Sequence, residues 1–88
     1  MSKYPTFCSV FRSRSKAETY IFVEKNEDLS KVLPDELHSK LGAMEHVMDL
    51  LLSERKHLAR TTPARVMAAI RSQGFYLQLP PADAHASQ

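Results

Sequence analysis

The first half of the chain alternates between apolar runs and short polar breaks. Residues 6–12 and 19–24 are rich in aromatic and β-branched side chains, and the polar segment 13–17 separates them. Runs of this composition favour strands, and the short connection between them predicts a β-hairpin. Because the connection contains no glycine, we do not expect a two-residue primed turn.

A short helix of about eight residues, with Pro34 at its first position, is predicted next within residues 33–41. Leucines recur there at every fourth position, which places them on one face of a helix. Pro34 suits the first helical position, where its missing N–H needs no partner. Gly42 suits the left-handed residue that follows a helix.

Residues 46–52 can be interpreted in two ways. Val47, Met48 and the three leucines 50–52 fit one face of a helix or a buried strand. Leucine and methionine favour the helix by propensity, whereas a run of about seven residues suits a strand. We favour the strand and keep the helix as the alternative.

The last helix and strand have clear boundaries. Thr62 can cap a helix and Pro63 fits its first turn, while Val66, Met67 and Ile70 have the spacing of a buried stripe. Gly74 ends that helix. Residues 75–79 then favour a strand, which two prolines terminate.

These elements predict a single domain of the α+β class, or an α/β sandwich, over residues 1–81. The element order is β-β-α-β-α-β, with a four-stranded, mainly antiparallel sheet covered by two helices. The strands are apolar on both sides, which favours helices on both faces of the sheet or a sheet that is fully buried in the middle. Residues 82–88 are small and polar, and we predict a disordered tail.

Composition narrows the class of protein. No run approaches the roughly 20 apolar residues that cross a bilayer, and the first residues lack the apolar region of a secretory signal. The one cysteine, Cys8, cannot form an internal disulfide. We therefore expect a cytoplasmic protein without membrane contact.

Charge is distributed unevenly, although the net charge is only +2. Two basic segments, 12–16 and 55–60, flank an acidic middle. The candidate residues for binding an anion or a partner are these basic side chains together with one tyrosine: Arg12, Arg14, Lys16, Arg55, Lys56, Arg60 and Tyr76. If both segments fold onto one face, that face would attract a carboxylate or a phosphate. The alternative is that these charges only keep the surface solvated.

Aromatic residues raise the question of base stacking. Tyr20, Phe22, Phe75 and Tyr76 lie on predicted strands, where rings beside basic residues can stack on nucleic-acid bases. Strands that are apolar on both sides instead place most of these rings in the core. Tyr20 and Tyr76 are the more exposed candidates, since each hydroxyl needs water or a partner.

A search for chemistry finds no catalytic motif. The two glycines do not form a phosphate-binding loop, and no two histidines have the i, i+3 or i+4 spacing of metal ligands. We predict no metal, no cofactor and no catalytic residues. Cys8 is expected to be a small buried side chain. Asp49, which interrupts an apolar run, is expected to face solvent or meet an arginine at a sheet edge.

Four segments resemble the YcgL-domain proteins, a family of small bacterial proteins with no established activity. They are residues 7–13, residues 19–25, the helix 33–37 with Leu41-Gly42, and the ending 74–81, in which Gln78-Leu79-Pro80-Pro81 is the most distinctive piece. The resemblance covers roughly residues 7–81. It implies a small α/β sandwich in which residues 47–52 are a strand, and it implies no catalytic residues.

These observations favour a non-enzymatic, cytoplasmic binding or adaptor module that acts through a protein partner, as a monomer or a weak dimer. The first alternative is a nucleic-acid-binding accessory protein, with RNA held by segments 12–16 and 55–60. The second alternative is a small enzyme that uses Cys8 or Asp49.

Overall fold

A four-stranded antiparallel sheet forms the centre of the computed structural model, which describes residues 6–53, 58 and 61–80. The strands are β1 (Thr6–Ser13), β2 (Tyr20–Glu24), β3 (Met44–Leu52) and β4 (Phe75–Gln78). Their order across the sheet is β3-β1-β2-β4, and every neighbouring pair is antiparallel. The predicted sheet and the strand interpretation of residues 46–52 are confirmed, although β3 begins two residues earlier.

The described residues form three helices instead of the predicted two: α1 (Leu29–Val32), α2 (Asp35–Leu41) and α3 (Pro63–Gln73). The element order is therefore β-β-α-α-β-α-β. The unpredicted helix α1 is a single turn, capped by the Asp28 carboxylate, which accepts from the Ser30 N–H at 3.0 Å. A single turn is too short to show helical periodicity, so the pattern of apolar residues could not reveal it.

The ends of α2 and α3 follow their predicted capping residues closely. Pro34 lies one position earlier than predicted, at the N-cap of α2. The Thr62 hydroxyl accepts from the Arg65 N–H at 3.2 Å, and Pro63 opens α3. Gly42 and Gly74 end the two helices with φ angles of 71° and 95°, values that favour glycine.

Helices cover both faces of the sheet, as the apolar strands predicted. On one face, which we call the α3 face, Val66 and Met67 pack against a cluster of strand side chains that includes Cys8, Phe22 and Leu52. On the opposite face, the α1–α2 face, Leu33 and Leu41 pack against Ile21, Val23 and Phe75. The core is thus divided into two layers by the sheet.

A β-bulge at Val47 changes which side chains of β3 share a face. Val10 pairs with Met48, but the next residue of β1, Phe11, pairs with His46, so Val47 is an extra residue. Regular pairing would place His46 opposite Arg12, whereas the bulge places Glu45 there. Glu45 therefore lies on the α3 face beside Arg12.

Within the residues that the structure describes, no helix is long and apolar enough to cross a membrane. The predicted tail, residues 82–88, lies outside the described residues.

Candidate functional site

An open cavity of about 560 Å³ lies at the end of the β1–β2 hairpin, and we call it the hairpin cavity. It is lined by residues 12–18, Tyr20 and Glu45. Three of the sequence-predicted binding residues, Arg12, Arg14 and Lys16, therefore meet at one place. The hairpin brings them together because β1 and β2 are joined by a loop of six residues, from Arg14 to Thr19.

Hydrogen bonds tie this loop to the end of α2. The hydroxyl groups of Ser13 and Ser15 both donate to the Leu41 carbonyl, at 2.7 and 3.1 Å. The Arg14 N–H donates to the Ala43 carbonyl at 2.9 Å. These contacts satisfy backbone groups at the helix end and fix the wall of the cavity against a rigid element.

The Glu45 carboxylate lies between the two arginines of the cavity. Its Oε2 accepts from Arg12 Nη2 at 2.8 Å, and its Oε1 lies 3.8 Å from Arg14 Nε. The side chain of Glu45 is 42% exposed, that of Arg12 is 47% exposed and that of Arg14 is 67% exposed. Lys16 makes no ion pair within the described part of the chain.

The other predicted binding residues are not part of the hairpin cavity as described. Arg55, Lys56 and Arg60 lie outside the described residues. Tyr76 packs edge-to-face against Phe22 with ring centroids 5.7 Å apart, and its hydroxyl donates to Thr61 Oγ1 at 2.8 Å. The Tyr76 hydroxyl is therefore hydrogen-bonded within the chain, and the Tyr76 ring packs on the α3 face.

Asp49 lies in a second polar cluster, on the α1–α2 face. Its Oδ1 accepts from the Ser9 hydroxyl at 2.8 Å and lies 2.9 Å from His46 Nε2, while Oδ2 lies 3.8 Å from Lys25 Nζ. The hydrogen bond from His46, followed by that from Ser9, holds the pKa of the Asp49 carboxyl below its ordinary value. Asp49 is 38% exposed, as expected, but its partners are serine, histidine and lysine instead of an arginine.

The residue types in this second cluster are those of a nucleophilic triad, but their connections differ. In a triad the imidazole accepts the proton of the serine hydroxyl, and the carboxylate orients the imidazole. Here Ser9 and His46 both contact the same oxygen of Asp49, and Ser9 is buried. The arrangement orders the edge of the sheet and offers no activated nucleophile.

Cys8 is fully buried in the α3-face core, as predicted. Burial, followed by the nearby Glu24 charge, raises the pKa of its thiol to about 11. A thiolate is the reactive form of cysteine, so this environment makes the thiol inert. Among the described residues, no group of three or more histidine, cysteine, aspartate and glutamate side chains is arranged to hold a metal ion.

Sequence reasoning missed Glu45 and Tyr20 as parts of the hairpin cavity. The sequence presents Tyr20 as a candidate for base stacking only. Tyr20 lines the cavity because it pairs with Arg12 across the hairpin. Glu45 gave no sequence signal, since its face depends on the bulge.

The comparisons with known proteins agree on one family. The sequence model of the YcgL-domain family matches residues 8–81 of this chain. This chain belongs to the YcgL-domain family. The assignment confirms the resemblance drawn from residues 7–81.

Three relatives, each named as a YcgL domain-containing protein, show the extent of the similarity. The protein of Aeromonas hydrophila is 51% identical over 74 residues, covering 84% of this chain and 78% of its own. That of Pseudomonas aeruginosa strain PAO1 is 47% identical over 76 residues, covering 86% and 77%. That of Pectobacterium carotovorum is 45% identical over 75 residues, covering 85% and 87%.

Proposed function

We propose that this protein is a non-enzymatic, cytoplasmic binding module that engages an acidic surface of a protein partner through the hairpin cavity. The observation that carries the proposal is the meeting of Arg12, Arg14 and Lys16 around one cavity. Guanidinium groups match carboxylates in shape and charge, so an acidic protein surface is the natural complement.

The tethering of the loop supports a binding role. Ser13, Ser15 and the Arg14 backbone hold the loop on α2 before any partner arrives. A partner that binds a preformed surface loses less free energy to ordering the loop. The tethered loop therefore favours binding.

The environments of the two candidate catalytic residues, Cys8 and Asp49, support a non-enzymatic role. Cys8 is buried with a raised pKa. The Ser9 hydroxyl donates to Asp49 and not to an imidazole, and the lowered pKa of the Asp49 carboxyl makes it a weak base. Neither Cys8 nor Asp49 lines the hairpin cavity.

The proposal is tested by capturing partners on the immobilised full chain, using a nuclease-treated lysate of a bacterium that carries a YcgL-domain protein. The test variant is Arg14→Glu combined with Lys16→Glu. The matched control is Lys31→Glu combined with Arg71→Glu, which makes the same charge change at exposed positions of α1 and α3 that do not line the cavity.

We expect a protein that is retained by the wild-type chain and by the control variant, and lost with the cavity variant. The same proteins retained on all three chains would contradict the proposal. Circular dichroism of each variant confirms that it is folded before the comparison is made.

A nucleic acid is the second candidate ligand, because Tyr20 lines the cavity beside the basic residues. An aromatic ring next to arginines can stack on a base while the arginines contact phosphates. Filter binding of short single-stranded RNA over a series of salt concentrations tests this candidate. Phosphate contacts strengthen at low salt, so absence of binding there rules RNA out.

A further inference from the structure

We infer that the hairpin cavity recognises a single carboxylate of an acidic peptide, and that this carboxylate takes the position now held by Glu45 between Arg12 and Arg14. The inference rests on the proposed function and specifies its ligand. Its first support is geometric: the Glu45 carboxylate contacts Arg12 Nη2 at 2.8 Å and approaches Arg14 Nε at 3.8 Å. The chain thus already contains the group that its own arginines bind.

Glu45 is held weakly enough to be replaced. All three side chains of the Arg12–Glu45–Arg14 cluster are more than two-fifths exposed. Ion pairs this exposed to water contribute little to stability and are screened by salt. A carboxylate brought by a partner therefore exchanges with Glu45 at small cost, while the tethered loop keeps Arg14 in place.

Replacing Glu45 by another carboxylate keeps the charge of the cavity as it is. Among the described residues that line the cavity, Arg12, Arg14 and Lys16 are basic and Glu18 and Glu45 are acidic. A carboxylate that takes the place of Glu45 brings the same single negative charge and the same planar group to the Arg12 guanidinium. A phosphate monoester would instead bring between about 1.5 and 2 negative charges in a tetrahedral group.

The position of Glu45 in the fold strengthens the interpretation. Because the pairing of β3 with β1 passes over Val47, Glu45 instead of His46 lies opposite Arg12. Bulges of this kind re-aim side chains at sheet edges and beside binding sites.

The test is a titration of the full chain with N-acetyl-tetraglutamate amide, followed by amide NMR spectra at constant ionic strength. N-acetyl-tetraglutamine amide and inorganic phosphate serve as comparison ligands. The variants are Glu45→Gln, Arg14→Gln and the control Glu36→Gln, which removes one exposed negative charge on α2.

We expect the acidic peptide to shift the resonances of residues 12–20 and 45, and to bind more tightly than phosphate. Glu45→Gln removes the internal competitor and should tighten binding about two- to fivefold, the range that an exposed ion pair accounts for. Arg14→Gln should weaken binding, and Glu36→Gln should leave it near the wild-type value.

An affinity that is unchanged or lowered in Glu45→Gln would overturn the inference, because Glu45 would then only position the arginines. Tighter binding of phosphate than of the peptide would overturn it as well. Partner capture that depends on Arg14 and Lys16 but is not improved by Glu45→Gln would leave the proposed function standing and remove only this inference.

Discussion

At the scale of single residues, burial separates side chains that can react from those that cannot. Cys8 lies on the central strand β1 with no exposed surface, whereas Asp49 lies on the edge strand β3 and keeps contact with water. The thiol is accordingly kept protonated, and the carboxyl is kept ionised by its hydrogen bonds. A sequence shows both residues within apolar runs, but only strand order shows which one is enclosed.

We predict that iodoacetamide labels Cys8 of the native protein at pH 8 far more slowly than it labels the urea-unfolded chain. The physical reason is that the buried thiol must be exposed by unfolding before it reacts. Mass spectrometry of samples quenched over time measures both rates. Equal rates for the native and the unfolded protein would show that Cys8 is accessible.

The same thiol makes stability depend on alkaline pH. Its pKa is raised from 9.0 to about 11 in the folded protein, so the unfolded chain releases the proton first. Its contribution to stability is therefore complete below pH 9 and is lost as the pH rises from 9 through about 11. Urea denaturation at pH 8 and pH 10 measures this loss, and Cys8→Ala provides the background from other titrating groups.

At the scale of elements, the sequence correctly predicted the helix and strand ends that are set by nearby capping residues and prolines. Thr62, Pro63 and Gly74 set the ends of α3, and the two prolines follow β4 closely, so these boundaries were recovered. The one-turn helix α1 and the bulge in β3 were not. The bulge depends on how β3 pairs with β1, which is a long-range property, and the face of Glu45 depends on it in turn.

The connection between α2 and β3 is predicted to require glycine at position 42. Gly42 has φ 71° and ψ −150°, a region that is almost restricted to glycine, and an added Cβ would lie 3.0 Å from Ser15 Oγ. Gly42→Ala should lower the free energy of unfolding by about 1–3 kcal/mol, measured by urea denaturation.

A second variant separates the two causes of that loss, the contact with Ser15 and the backbone strain. In a Ser15→Ala background the contact with Oγ is absent, so Gly42→Ala should cost less there, while the backbone strain remains. An equal cost in both backgrounds would show that the contact with Ser15 contributes nothing. A cost below about 0.5 kcal/mol in the wild-type background would argue against the strain itself.

At the scale of the whole molecule, one sheet separates two small cores, and the outer part of β3 is left open. Leu52 is fully buried on the α3 face, while its neighbour Leu51 is 41% exposed on the α1–α2 face, opposite the 53% exposed Phe7. The apolar character of β3 predicted a strand correctly, but it did not show which of its leucines are covered. That depends on where α1, α2 and α3 pack.

These two adjacent leucines give a matched test of the layered core. Leu52→Ala should lower the free energy of unfolding by about 2–5 kcal/mol, because it leaves a cavity in a packed interior. Leu51→Ala removes the same atoms from a partly solvated position and should cost much less, near 0.5 kcal/mol. Urea denaturation of both variants makes the comparison, and similar losses would contradict the assigned faces.

The extra residue Val47 also determines how β3 tolerates a change of length. If Val47 were deleted, the remaining residues would form a regular ladder in which His46 still meets Phe11 and Glu45 still meets Arg12. The acid between the two arginines, and the histidine beside Asp49, would keep their neighbours in the shorter chain. A strand that alternates strictly in sequence reverses its faces when it loses one residue, whereas this strand contains a position whose removal leaves every other side chain on its own side.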